Sequence, residues 1–260
     1  MARVDAPLAR RNPVAKVGAG FLFSLALLAT LDPVTPALAV AIELALVPLF
    51  GVRYRELARR AGPVLLAAAG VLLSLVLFST DRSGTTLTHL GPFAVTTGVL
   101  HSALALGLRL VAVAIPAVLV FGTTDPTDLA DALVQNVKAP ARFAIGTLAA
   151  LRLVPLLGQE WRLLALARRA RGVDAGANPV AHLRLFASTT FALLVGAIRR
   201  GTRLATAMDA RGFDSQVRRT VARPQRFGPA DAALVVAAAA VGAALIVASV
   251  ALGTFTPLLA

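Results

Sequence analysis

AALVVAAAAVGAALIVASVALGTFTPLLA, residues 232–260, runs without a charge to the last residue. About 20 apolar residues at 1.5 Å rise cross a bilayer core about 30 Å thick, so the run reads as a transmembrane helix. Ala61 to Thr80 is a second uncharged run, just long enough to span. Val17 to Leu31 is shorter, but Lys16 can snorkel to lengthen its reach. Pro33 to Val52 suffices if Glu43 is tolerated, and Thr97 to Phe121 forms another span with Arg109 inside it. Five spans are expected. The composition agrees: 57% of the 260 residues are hydrophobic, 15% are charged, and the mean hydropathy is +0.77. A soluble domain of this length needs a more polar surface.

The net charge of +13 matters for where it falls more than for its size. The arm before the first span carries Arg3, Arg10, Arg11 and Lys16; the loop after the second carries Arg53, Arg55, Arg59 and Arg60. Residues 122–228 hold sixteen of the 26 Lys and Arg, which leaves only Arg82 in the opposite loop and Arg109 in a span. Retention of basic loops in the cytoplasm then predicts a cytoplasmic N-terminus, a C-terminus outside, and a multi-pass protein of the cell membrane. Arg10-Arg11, an apolar run and Ala37-Leu38-Ala39 also imitate a secretory signal, but further spans follow, so an uncleaved first span is expected. The chain has no cysteine, hence no disulfide framework and no thiolate metal site. His89, His101 and His182 lack metal-ligand spacing. Topology accounts for the basic residues and aromatics are scarce, so nucleic acid is not an expected partner.

Between the fourth and fifth spans lies a segment of mixed charge whose best uncharged run, Leu185 to Ile198, is too short to cross a bilayer. Its helix punctuation is clear. Thr124-Asp125-Pro126 supplies an N-cap and a proline at the first helical position, for a helix to about Lys138. A second helix runs from Arg142 to Arg171, with a kink expected near Pro155, and stops at Gly172. Asn178-Pro179 opens a third, which ends at Arg211 and Gly212. The expected organisation is therefore a four-span bundle (1–121), long helices on the cytoplasmic side (122–228) and a last span (229–260).

The ends of the two long helices repeat each other. Leu164 to Asp174 reads LALARRARGVD, and Leu204 to Asp214 reads LATAMDARGFD, identical at seven of eleven positions and aligning Arg171 with Arg211. Glycine just past a helix adopts positive φ and closes the last turn. An arginine in that turn meets the negative end of the helix dipole with its guanidinium able to project outward. Arg-Gly at one helix end is an ordinary stop signal. Two copies in one eleven-residue pattern point instead to a partner with two equivalent grooves.

In order along the chain, three further stretches and this pair resemble one family. Asn12-Pro13-Val14-Ala15-Lys16, Thr123-Thr124-Asp125-Pro126-Thr127-Asp128-Leu129 with Ala132-Leu133, and Leu151-Arg152-Leu153-Val154-Pro155-Leu156 with Glu160 precede Ala170-Arg171-Gly172 and Ala210-Arg211-Gly212. The set is similar to the T components of energy-coupling-factor transporters, which import vitamins and transition-metal ions. That resemblance implies an all-α membrane fold with long coupling helices. It also implies two cytosolic ABC ATPases docked on Arg171 and Arg211 with their flanking Ala and Gly residues, and a separate substrate-binding S component in the membrane. ATP and Mg²⁺ would belong to the ATPases, and this chain would hold no cofactor. Its own residues agree on one point: no G-x-x-x-x-G-K-[ST] phosphate cradle is present.

Two other readings compete. Asp125, Asp128 and Asp131 recur at i, i+3 and i+6, as in membrane transferases that bind Mg²⁺-diphosphate, although a cap plus acidic first turns explains them as well. A stand-alone secondary transporter would need a central site on broken helices, often with inverted repeats, whereas this repeat is direct. Glu43 and Arg109, ionisable groups at membrane depth, are expected to face each other inside the bundle.

Overall fold

A computed structural model describes residues 6–30, 32–78, 84–90, 93–213, 215 and 220–254. Among them are eight α-helices: α1 Pro13–Leu27, α2 Val34–Leu46 with a 3₁₀ turn Val47–Phe50, α3 Tyr54–Phe78, α4 Thr97–Thr123, α5 Pro126–Asn136, α6 Ala141–Ala170, α7 Pro179–Ala210 and α8 Pro229–Ala251. The protein is the expected all-α polytopic membrane protein, with one unexpected addition. The segment before α4 forms a small antiparallel hairpin, β1 Thr86–Leu90 with β2 Phe93–Thr96, pairing Leu90 with Phe93 and His89 with Ala94.

The chain packs as two compact units, Met1–Ala132 with Gln225–Ala260, and Leu133–Pro224. The first unit thus takes in most of α5, past the boundary expected at residue 121, because α5 is tied back to it. Gln225 Nε2 donates to Asp128 Oδ1 at 3.4 Å.

In the first unit α1 packs on α8 and α3 on α4, while α2 lies against α4. Local capping matches the sequence signals. Asn12 Oδ1 accepts from Val14 N ahead of Pro13, and Asp231 Oδ2 accepts from Gly228 N at the start of α8. Helices α1 and α8 run parallel: Asn12 N donates to Asp231 Oδ1 at 3.0 Å at one end, and Gly242 faces Ala26 further along. Lys16 Nζ donates to the Thr123 carbonyl at 3.0 Å, and Leu8 N donates to Leu49 O at 3.2 Å. The starts of α1 and α8, the end of α4 and the turn between α2 and α3 therefore gather at one end of the unit. Arg10, Arg11, Lys16 and Arg53 belong to these segments, and Arg55, Arg59 and Arg60 follow in the first two turns of α3.

Helix α1 is about 22 Å long at 1.5 Å per residue, short of a bilayer core of about 30 Å. Thr30 and Asp32, in the connection that follows it, are buried. Buried backbone needs internal partners. Arg109 supplies one: its Nη2 donates to the Thr30 carbonyl. Asp32 Oδ2 accepts from Thr35 N, Thr35 Oγ1 and Ser249 Oγ, tying the loop to α2 and α8.

The expected Glu43–Arg109 pairing is thereby corrected. Both side chains do point inward, at 5% and 7% exposure, but they sit at different depths. Glu43 lies eight residues beyond Thr35 on α2, about 12 Å further along the helix. Among the described residues its two carboxyl oxygens have no hydrogen-bond partner.

The span reading needs a second adjustment. Five helices are long and apolar enough to cross a membrane, namely α3, α4, α6, α7 and α8, whereas α1 and α2 with its 3₁₀ turn are shorter. The expected five comprised α1 and α2 in place of α6 and α7. Each of α6 and α7 contains an 18-residue stretch with no more than two charged residues, less apolar, at mean hydropathy 1.4 and 1.5, than those of α3, α4 and α8. Arg152, Glu160 and Arg162 interrupt α6, and Arg184, Arg199, Arg200 and Arg203 interrupt α7.

Candidate functional site

The second unit is built on α6 and α7, and the contacts between them fix their direction. Arg168, near the end of α6, donates to the Leu185 carbonyl at 3.1 Å and to Ser188 Oγ at 2.8 Å in the first turns of α7. Trp161 and Phe186 stack at an angle with centroids 5.3 Å apart. Arg200 Nη2 donates to Glu160 Oε2 at 2.7 Å, and Arg142 at the start of α6 pairs with Asp209 at the end of α7 at 3.3 Å. The two helices are antiparallel.

Both helices end in the same way. At the end of α6, Arg171 takes φ −92° and ψ 10°, and Gly172 takes φ 76°. At the end of α7, Arg211 takes φ −89° and ψ 11°, and Gly212 takes φ 68°. Val173 N donates to Arg168 O at 3.0 Å and Gly172 N to Arg169 O at 2.9 Å; Phe213 N donates to Met208 O at 3.1 Å and Gly212 N to Asp209 O at 2.9 Å. This is a Schellman ending twice over, with the same six-to-one and five-to-two bonds closing α6 and α7. The positive φ at Gly172 and Gly212 is the conformation that required glycine.

Ala170, Arg171 and Gly172 are exposed, as are Ala210 and Arg211, with Gly212 half-buried. The antiparallel pairing sends the two endings to opposite ends of the helix pair. Helix α7 alone is about 48 Å long at 1.5 Å per residue, so two well-separated tips are presented. Asp174 Oδ1 turns back to accept from Ala175 N at 2.8 Å. Its counterpart in the repeat, Asp214, lies outside the described residues.

Two of the positions at which the copies differ explain themselves. Arg168 and Met208 are equivalent, yet Arg168 bonds α7 while Met208 is buried. Arg169 and Asp209 are equivalent, yet Asp209 pairs with Arg142. These positions serve the contact of each helix with its own surroundings, which differ. Ala and Arg at the tips are exposed in both copies, and Gly matches because both endings need positive φ. Sequence reasoning missed Arg168, Arg142 and Arg200 as organisers of the helix pair; the mismatch Arg168/Met208 within the repeat was the available signal.

The aspartate series does not assemble a metal centre. Asp125 Oδ1 caps α5 by accepting from Thr127 N at 2.7 Å. Among the described residues no group of three His, Asp or Glu side chains is placed to hold a metal ion.

Comparison of the sequence with known proteins matches the chain to a family. The family described as "Cobalt transport protein", CbiQ, matches residues 5–221. The chain belongs to the CbiQ family. It is 30% identical over 225 residues, 84% of each chain, to the energy-coupling factor transporter transmembrane protein EcfT of Limosilactobacillus fermentum. It is 31% identical over 252 residues to the EcfT of Heliobacterium modesticaldum, covering 92% of this chain and 91% of that one. A putative ABC transporter ATP-binding protein of Bifidobacterium longum is 28% identical over 220 residues, which make up 81% of this chain and 28% of that longer one. The matched residues, 5–221, span most of the chain and include both arginine endings.

Proposed function

We propose that this CbiQ-family protein is the energy-coupling membrane subunit of an importer of the energy-coupling-factor type. Its exposed Arg171 and Arg211 each dock one of two cytosolic ABC ATPases. The observation that carries this reading is the pair of geometrically equivalent Schellman endings, because one ending stops a helix and two present equal grips to a two-fold partner. A separate S component in the membrane captures the solute, a vitamin or a transition-metal ion. ATP and Mg²⁺ reside on the ATPases. This chain contributes no catalytic group and no cofactor, and converts ATPase closure into movement of the S component.

Several observations support the reading. The relatives are named as transmembrane proteins of such transporters, and a longer relative that shares this segment is named as an ATP-binding protein. The gathering of Arg10, Arg11, Lys16 and Arg53 at one end of the first unit supports a cytoplasmic N-terminus and a C-terminus outside. Helices of intermittent charge and apolarity suit the membrane's cytoplasmic face.

Purification from native membranes in mild detergent tests the proposal. Two ABC ATPase copies and a small membrane protein are expected to accompany the chain. Solute movement by the chain alone in vesicles, without ATPases, would contradict it. Asp128→Asn is expected to leave uptake within about twofold, since it weakens one long hydrogen bond of modest net worth. Loss of a Mg²⁺-dependent transferase activity in that variant would favour the enzyme reading instead.

A further inference from the structure

Four arginines crowd the start of α3. Arg53, Arg55, Arg59 and Arg60 fall within eight residues, immediately before the uncharged run that opens at Ala61. Retention of positive charge on one side of a membrane accounts for their presence in this loop. It does not account for their arrangement. Arg53, Arg55 and Arg59 line one concavity of about 360 Å³ together with Glu56. Glu56 is the only acid between Val52 and Ala61, and its carboxylate already accepts from Arg60 Nη2 at 2.6 Å. Among the described residues none of the three guanidiniums has an ion-pair partner. Arg55 and Arg59 are moreover four residues apart on one helix face, where like charges repel. An anion among the three would relieve that repulsion.

Direction and depth say which anion. Leu57 and Ala61, at 4% and 7% exposure, are buried against the bundle and mark the inner face of α3. Arg55 and Arg59 lie two residues to either side of Leu57, about 200° around the helix, and both are exposed. They turn away from the bundle, toward the surrounding membrane. The uncharged run from Ala61 to Thr80 matches a hydrocarbon core about 30 Å thick. Along the helix axis Arg59 stands about 3 Å and Arg55 about 9 Å before Ala61. Headgroups add about 5–8 Å to each side of the core. The cluster thus sits at the level of the lipid phosphates, where basic residues beside a span attract anionic headgroups.

We propose that Arg53, Arg55 and Arg59 form a headgroup site for an anionic phospholipid of the phosphatidylglycerol type, whose phosphodiester lies among the three guanidiniums. The planar guanidinium donates two parallel N–H groups to phosphate oxygens, so arginine suits this role. The site needs α3 to cross the membrane and needs no ATPase, so the purified chain alone suffices to test it.

Native mass spectrometry of the full-length protein in detergent, titrated with phosphatidylglycerol or with phosphatidylcholine of the same acyl chains, counts the bound lipids and ranks their affinities. Wild type is expected to bind one phosphatidylglycerol roughly tenfold or more tightly than phosphatidylcholine. Arg55→Gln, which leaves three arginines to hold the topology, is expected to weaken that binding about fivefold, the worth of one basic residue beside an anionic lipid surface. Arg53→Gln, Arg55→Gln and Arg59→Gln together are expected to abolish the preference for phosphatidylglycerol. Arg203→Gln removes the same charge from an exposed position of α7 and is expected to leave the binding within about twofold. Equal affinity of wild type for the two lipids, or equal losses in Arg203→Gln and Arg55→Gln, would overturn the site. Displacement of the lipid by inorganic phosphate at the same concentration would overturn a phospholipid as its occupant.

Discussion

Replacing Arg171 and Arg211 together with glutamate is expected to strip the ABC ATPases from the purified complex while the chain still inserts into the membrane. Each arginine stands exposed at a helix ending that is closed by backbone hydrogen bonds, so the substitution leaves the ending itself intact. A central arginine of an interface is commonly worth about 2 kcal/mol or more, a loss of roughly thirtyfold in affinity. The tips sit at opposite ends of an antiparallel helix pair, far enough apart for their effects to add. The double variant is therefore expected to bind about a thousandfold more weakly, and each single variant to retain one grip. Glutamate also places a negative charge at the negative end of the helix dipole, which adds a smaller penalty of about 0.3–1 kcal/mol on the helix. Thermal stability of the isolated chain separates the two contributions.

The second large effect is expected in the membrane bundle. Helices α1 and α8 approach so closely at Gly242 that a Cβ there would lie 2.8 Å from Ala26 Cβ. Both contacts are backbone-proximal, so neither can rotate away, and small residues at such crossings are what allow membrane helices to pack. Gly242→Val is expected to lower stability in detergent by about 1–3 kcal/mol, the range for overpacking a close contact. Gly70→Val is the control: nothing lies within 4 Å of its Cβ position, and a change within about 0.5 kcal/mol is expected. Equal stability of the two variants, followed by thermal unfolding, would show that α1 and α8 do not pack as described.

What could be read in the sequence was what is local. Asn178 before Pro179 caps α7 by accepting from Val180 N and Ala181 N, and Gly172 and Gly212 take the positive φ their places required. These signals depend on neighbours within one turn. The twin endings were legible because the repeat compares the chain with itself. Arg109 was misjudged because its partner, the Thr30 carbonyl, is 79 residues away. No periodicity announces that. The same holds for Glu160 and Arg200, distant in the chain, whose contact follows from the crossing of α6 and α7. The hairpin Thr86–Thr96 escaped notice because it connects two spans and carries little apolar alternation.

On the proposed function the two tips grip nucleotide-driven partners. Because the chain contains no cysteine, Ala170→Cys and Ala210→Cys each place a single thiol beside one arginine. Cross-linking from each position in native membranes is predicted to capture an ABC ATPase, one copy per tip. Failure of both positions to capture an ATPase that still co-purifies, or labelling of either thiol by an impermeant reagent from outside the cell, would contradict the account.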